Sequence, residues 1–239
     1  MKRFWWMFLL PLALIPLFFL RPAVMTVGNY RLDNTRFAYY YWSEFFYFKE
    51  AYSEYLSGSV DFSKPLDEQM YGDSITWEDH LIGESLSVAA DTLIVVQAAQ
   101  QAGFVLPADY EQALKETWNG FLAQSGGDMK SYLQDSYGKG ADAGSFYTYL
   151  EHCHLAAAYA DVLYAALNPT DAQVADWLDD HMGEYLDAGL TDPDDQLKQA
   201  RQDLTDRLYQ QSLQQLREGV RLRIHSRAIR IRAPKGLYE

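Results

Sequence analysis

The sequence predicts a mostly α-helical protein with a small β element made by the two ends of its main domain. Three observations carry this expectation. Apolar residues recur at helical spacing in long segments, each bounded by a capping residue, a proline or a glycine. Only the segments at 24–27 and 220–232 read as β-type runs. The first twenty residues form an apolar helix of their own, ahead of everything else.

In that leading segment, Lys2 and Arg3 precede an unbroken apolar run from Phe4 to Leu20, which Arg21-Pro22 closes. Its 17 residues, at ~1.5 Å each, give roughly 26 Å of helix, close to a ~30 Å hydrocarbon layer. Pro11 and Pro16 would bend it, which a membrane tolerates better than a soluble helix does. A cleaved signal needs small residues at its exit, but the exit here reads Leu20-Arg21-Pro22-Ala23. The segment 1–22 is therefore expected to be an uncleaved signal-anchor transmembrane helix. The charges at positions 2 and 3 place the N-terminus in the cytoplasm and residues 22–239 outside, in a single-pass cell-membrane protein.

Val24–Val27 is a short β run ended by the turn pair Gly28-Asn29. Asp33 or Asn34 then caps a helix to about Ser57, stopped by Gly58, and residues 58–75 read as a loop. Thr76, with Glu78 and Asp79 in the first turn, starts a second helix ending at Gly103. Pro107 opens a third to about Gln124. A short helix covers Asp128–Tyr137 and a long one runs from about Asp142 to Leu167. Asn168-Pro169-Thr170 opens the next, to about Leu186, and Pro193 begins the last, to Glu218-Gly219. Beyond it Val220, Leu222 and Ile224 alternate with Arg221, Arg223 and His225, and Ile229 and Ile231 repeat the alternation. A lone strand leaves its backbone groups unpaired, so 220–225 pairs either with 24–27 or with 228–232 as a hairpin. The main domain thus spans 23–239, closed by the helix 193–219 and the strand or strands within 220–232.

The net charge of −13 is unevenly spread: residues 37–216 hold 30 of the 33 acidic residues but 8 of the 20 basic ones. An acidic body repels phosphate backbones, so nucleic acid is not an expected partner. Seven basic residues follow between Arg217 and Lys235, suited either to anionic lipid headgroups or to the solvated face of a strand. The one cysteine, Cys153, excludes an internal disulfide. Phosphate-loop, nucleophile-elbow, H-E-x-x-H and C-x-x-C motifs are absent, and so no catalytic residue, cofactor or metal is assigned. In His152-Cys153-His154 the two imidazoles point ~200° apart on a helix and cannot share one ion. The acidic run Asp192–Asp195 lacks the ligand spacing of a calcium loop and reads as a helix cap.

The unusual element is the first helix of the domain, where 11 of the 19 residues from Phe37 to Tyr55 are aromatic. Phe37, Tyr41, Phe45, Phe48, Tyr52 and Tyr55 follow 4-4-3-4-3 spacing, one stripe facing a core. Tyr39, Trp42 and Phe46 form a second stripe, and Tyr40 with Tyr47 a third. Rings all round must be covered on every side, or must leave surface for another molecule.

The strand-turn-helix lead into F-x-Y-Y-Y (Phe37–Tyr41), the run Thr76–Leu81 with its Ala-rich helix, and Y-L-x-x-x-Y-G (Tyr132–Gly138) come in that order. They are followed by F-x-x-Y-L-E (Phe146–Glu151) and by Asp171–Tyr185. This order resembles the SurA/PrsA-type extracytoplasmic foldases, whose N-terminal chaperone region is related to part of trigger factor. The resemblance implies a SurA-N-like multi-helix chaperone domain. In such foldases a parvulin-type prolyl isomerase domain often follows the helix matched by Asp171–Tyr185. Here Leu186–Asp192, seven residues, leads straight into the closing helix, so the family's catalytic residues have no positions to occupy.

The expected function is a membrane-anchored holdase that binds unfolded or nascent secreted polypeptides, without isomerase activity. Its clients would meet a cleft lined by Tyr39, Tyr40, Trp42, Phe46 and Tyr47 of the first helix and by Phe146, Tyr149, Tyr159 and Tyr164 of the long helix. Two alternatives stand beside it: a tethered interaction or scaffold module for one envelope partner, and a diverged peptidyl-prolyl isomerase.

Overall fold

The computed structural model describes residues 23–56 and 59–238, with the helical backbone alone for 52–56. The expected anchor over 1–22, the stop at Gly58 and the side chains of Tyr52 and Tyr55 lie outside the described residues.

The described chain is mostly helical, with one small sheet. In order come β1 (Ala23–Val27), β2 (Tyr30–Asp33), α1 (Asn34–Leu56), α2 (Trp77–Gln101), α3 (Ala108–Gln124) and α4 (Met129–Tyr137). Then follow α5 (Ala143–Ala165), α6 (Asp171–Asp187), α7 (Pro193–Glu218) and β3 (Leu222–Ile224). Single 3₁₀ turns occupy Leu66–Glu68 and Ser226–Ala228.

The helix starts are set by short polar side chains that take up otherwise unpartnered N–H groups. Asp33 Oδ1 accepts the Arg36 N–H, and Asp142 Oδ1 accepts the Ser145 N–H. Thr76 and Asp79 cap reciprocally at α2, and Thr170 with Gln173 forms a capping box at α6. The acidic run at 192–195 is a cap as expected: Asp192 accepts from the N–H groups of Asp194 and Asp195, with Pro193 at the first helical position.

Strand β1 is central in the order β2-β1-β3, antiparallel to both neighbours. Of the two pairings left open, the one with 24–27 forms, with Met25 opposite Ile224 and Val27 opposite Leu222. The second hairpin does not: after the turn at 226–228 the chain is held by Asn34 instead. The Asn34 Nδ2–H donates to the Ala228 carbonyl, and Asn34 Oδ1 accepts the Arg230 N–H. Strand β2 was not expected; at four residues with one buried side chain, Leu32, it carries too short an alternation to announce itself. Gly28, at φ 52°, makes the turn that returns it along β1.

The contacts group the described residues into two compact units. Unit 1 holds the described residues up to Ala89, Asp128–Phe146 and the described residues from Leu222. Unit 2 holds Ala90–Gly127 and Tyr147–Arg221. In unit 1 the buried face of β1 (Val24, Met25, Val27) and the rings of α1 are core. In unit 2, α6 and α7 enclose Val174, Leu178, Tyr185 and Ala200, with Trp177, Met182, Leu190 and Leu204 around them. There the Trp177 Nε1–H donates to the Tyr185 hydroxyl, which itself donates to Asp203.

Among the described residues one helix, α2, is long and apolar enough to cross a membrane, with a mean hydropathy of 1.4 in its most apolar window. Of that window 44% is buried inside the protein, and a core helix passes the same test. Its residues Leu93, Ile94, Val95 and Val96 are all buried, a full turn enclosed by protein as in a core helix.

Candidate ring surface on unit 1

The first half of α1 has rings on every side, and unit 1 covers them all. Phe37, Tyr39, Tyr40, Tyr41, Trp42 and Phe45 are each 3% exposed or less. Tyr39 meets Tyr137 and Phe146 edge to face at 5.1 and 5.2 Å, and its hydroxyl shares a 2.8 Å hydrogen bond with Ser145 Oγ. Trp42 packs on Tyr41 and Phe45, and Phe45 on Phe62. Burial pushes the Tyr39, Tyr41 and Tyr137 hydroxyls above the usual phenolic range.

Four of the nine residues expected to meet a client are thereby corrected: Tyr39, Tyr40, Trp42 and Phe146 are core side chains. Their stripes are covered because β1, the loop after α1, α4 and the start of α5 supply enough apolar partners within the same unit.

The second half of α1 behaves differently. Phe46 is 43% and Tyr47 56% exposed, although both keep ring neighbours. Tyr47 touches Phe48, whose ring meets His80 edge-on at 6.2 Å. His80 lies flat on Tyr71 at 3.8 Å, with the planes 4° apart, and Tyr71 meets Trp77 at 4.7 Å. A connected run of rings thus joins α1 to the start of α2, through a turn that the sequence presented as plain loop.

That turn is a small bridge-closed structure. Met70 pairs with Thr76, the Tyr71 N–H donates to the Ile75 carbonyl, and the Trp77 N–H donates to the Gln69 carbonyl. The Gln69 amide braces the preceding segment, donating to the Asp61, Lys64 and Pro65 carbonyls and accepting the Asp61 N–H. Trp77 is anchored by its Nε1–H to the Ser59 carbonyl. Held this way, Met70, Tyr71 and Ile75 remain exposed beside buried Trp77. The signal for them was present but faint: Tyr71 and Ile75 flank Gly72-Asp73-Ser74, an apolar pair around a turn. On the same unit the Glu44 carboxyl is pushed up, first by burial and then by the charge of Glu84.

The remaining candidates belong to unit 2 and are half-buried there. Tyr159 packs on Phe104 at 5.2 Å. Tyr164 donates to Asp206 at 2.8 Å, accepts from Gln202 and lies against the Tyr209 ring. Tyr149 is half-buried on the same helix. In His152-Cys153-His154 all three side chains are half-buried, and burial holds the His154 imidazole below its ordinary value. Among the described residues no group of three or more metal-ligating side chains is assembled.

The chain matches no protein-family model, no characterised protein and no solved structure in comparisons with each.

Proposed function

We propose that this protein is a membrane-anchored, extracytoplasmic holding chaperone without prolyl isomerase activity, which takes up apolar segments of unfolded secreted or envelope proteins. One observation carries the reading: a connected run of rings in unit 1, from Tyr47 through Phe48 and His80 to Tyr71, flanked by exposed Phe46, Met70 and Ile75. Exposed apolar surface of this kind marks a place where another chain docks. Rings with polar edges suit contact of low specificity, because they bury area without demanding one hydrogen-bond pattern. The net charge of −13 keeps a loaded complex soluble. The order of elements shared with SurA/PrsA-type foldases and the seven-residue link before α7 fit chaperoning without isomerisation.

The test is aggregation of a chemically denatured client diluted into the full chain held in neutral detergent. Equimolar protein is expected to slow aggregation, Phe46→Ser/Tyr47→Ser/Tyr71→Ser to lose most of that effect, and Tyr159→Ser to keep it. No suppression by the unaltered chain would sink the proposal.

A second reading is favoured by the compactness of the ring run, which is a patch rather than a long groove: docking of one specific envelope partner. Crosslinking and pull-down from membranes separates the two. Many substoichiometric clients support the chaperone, and one stoichiometric partner supports the module.

A further inference from the structure

A second feature of unit 1 has nothing to do with rings. A cleft of about 260 Å³ opens between the start of α1, the Gly138-Lys139-Gly140 turn and the C-terminal segment. Asn34, Thr35, Gly138, Lys139, Arg230 and Arg232 line it, and no carboxylate does. In a chain of net charge −13, three cations gathered on one cavity with no acid among them is a strong local reversal.

The local structure explains how they come together. Residues two apart in an extended chain share a side, so Arg230 and Arg232 both face the cleft while Ile231 turns the other way, beside Tyr41 and Trp42. Asn34 holds that segment in place with the two hydrogen bonds to Ala228 and Arg230, at 2.8 and 2.6 Å. On the other wall, Gly138 ends α4 at φ 95° and ψ 165°, a conformation open to glycine and costly for other residues, and Lys139 follows it into the cleft.

The cations are also available. Among the described residues, the side chains of Lys139 and Arg232 have no ion-pair or hydrogen-bond partner. Arg230 is pinned by Nη1, which donates to the Arg227 and Ile229 carbonyls. A guanidinium has five N–H donors, so its remaining ones stay free for a ligand. Asp33 and Asp142, which flank the cleft-lining segments in sequence, stay ionised and are turned to helix starts: Asp33 caps α1, and Asp142 accepts from the Ser145 N–H and hydroxyl, which hold its carboxyl below the usual range. More distant charge is screened beyond ~8 Å at physiological ionic strength.

We infer that this cleft binds a phosphate group, carried either by inorganic phosphate or by an anionic lipid headgroup. A tetrahedral oxyanion has acceptors for an arginine fork and for the point charge of a lysine at once. The volume lies below the ~300–1,000 Å³ of sites that enclose drug-sized ligands, which fits a phosphate group better than a nucleotide.

The test is calorimetric titration of the full chain in neutral, phosphate-free detergent at fixed ionic strength. The probes are inorganic phosphate, dihexanoyl phosphatidylglycerol and dihexanoyl phosphatidylcholine. Inorganic phosphate is expected to bind in the millimolar range, with Arg232→Gln weakening it roughly tenfold and Lys139→Gln/Arg230→Gln/Arg232→Gln abolishing it. Arg232→Gln removes no side-chain hydrogen bond among the described residues, and unchanged circular dichroism separates its effect from misfolding. Binding of phosphatidylglycerol alone, lost in the same variants, supports the site and assigns the headgroup as its source. Binding of neither probe overturns the inference. So does an equal loss with Lys235→Gln, which lies outside the cleft, or an undiminished affinity in the triple variant.

Discussion

In unit 1 one helix buries six rings between Phe37 and Phe45, whereas the buried set between α6 and α7 of unit 2 contains a single ring, that of Tyr185. Unit 1 packs rings edge to face. The α6–α7 core of unit 2 relies on Val174, Leu178 and Ala200 and on side-chain hydrogen bonds such as Trp177 to Tyr185 to Asp203. Their surfaces differ in the same way. The exposed large apolar residues of unit 2 are Val105, Leu122, Val162, Leu186 and Leu197, all aliphatic. Those of unit 1 include Phe46, Tyr47, Met70, Tyr71 and Ile75, most of them belonging to or flanking one run of touching rings. A unit that needs rings for its core has more of them than the core can cover, and the remainder reaches the surface as a patch.

The largest test of that contrast is Phe37→Ala. Removing a fully buried ring is expected to cost ~3–5 kcal/mol in chemical denaturation, because close-packed rings cannot collapse into the gap. Trp42→Phe should cost far less, about 1 kcal/mol, since the buried Trp42 Nε1–H has no hydrogen-bond partner among the described residues. A large loss with Trp42→Phe would mean that the indole edge carries more of the packing than described.

Raising the pH should come next. An unfolded tyrosine titrates near 10, and the folded values lie above it, with Tyr238 pushed up to about 12 by burial and by the charges of Glu78 and Asp67. Tyr41 and Tyr137 are raised further still, by burial first. The folded state therefore keeps protons that the unfolded state releases. The stability is fully present below pH 10 and falls as the pH rises towards the folded values. Thermal melts across this range should show the loss, together with a sigmoidal rather than gradual rise of tyrosinate absorbance. A gradual rise would mean that the rings of unit 1 are open to solvent.

Unit 2 should respond to losses of polar contacts instead. Tyr185→Phe strands the Trp177 donor and the Asp203 acceptor, at an expected cost of ~1–3 kcal/mol. Thr170→Ala, which removes one half of the capping box of α6, should cost ~1 kcal/mol. The smallest effect belongs to Tyr47→Ser, within about 0.5 kcal/mol, because the ring is largely in solvent. A cost above 2 kcal/mol there would place Tyr47 in the core and remove the patch.

The helices were legible because their ends are written in local chemistry. Asp33, Thr76, Asp128, Asp142, Thr170 and Asp192 each cap within three residues of themselves, so no tertiary information is needed to find them. That the segments 24–27 and 220–225 needed partners followed from their isolation, but which of the two open pairings forms did not. The fate of individual rings did not follow, because Tyr39 and Tyr47 look alike in sequence. Their difference arises from Tyr137 and Phe146, about a hundred residues away, which cover one and not the other. The turn at 70–76 was hidden by its polar middle. The phosphate cleft was hidden more deeply, since residues 34–35, 138–140 and 230–232 share no periodicity and meet only in the fold.

The sheet order has a kinetic consequence. Val27 must wait for its partner Leu222, some 200 residues further along the chain, and all of unit 2 is encoded between them. Loop closure of that length costs only a few kcal/mol, but such contacts form late and slowly. During synthesis β1 and β2 must wait as a two-stranded ribbon with the β1 edge still bare, and such a ribbon is marginal in water. Unit 1 is therefore completed only once Leu222–Ile224 has been made, after unit 2 has had time to fold. A chain released early would lack β3 and both arginines of the cleft together, so truncation should abolish sheet and charge cluster in one step.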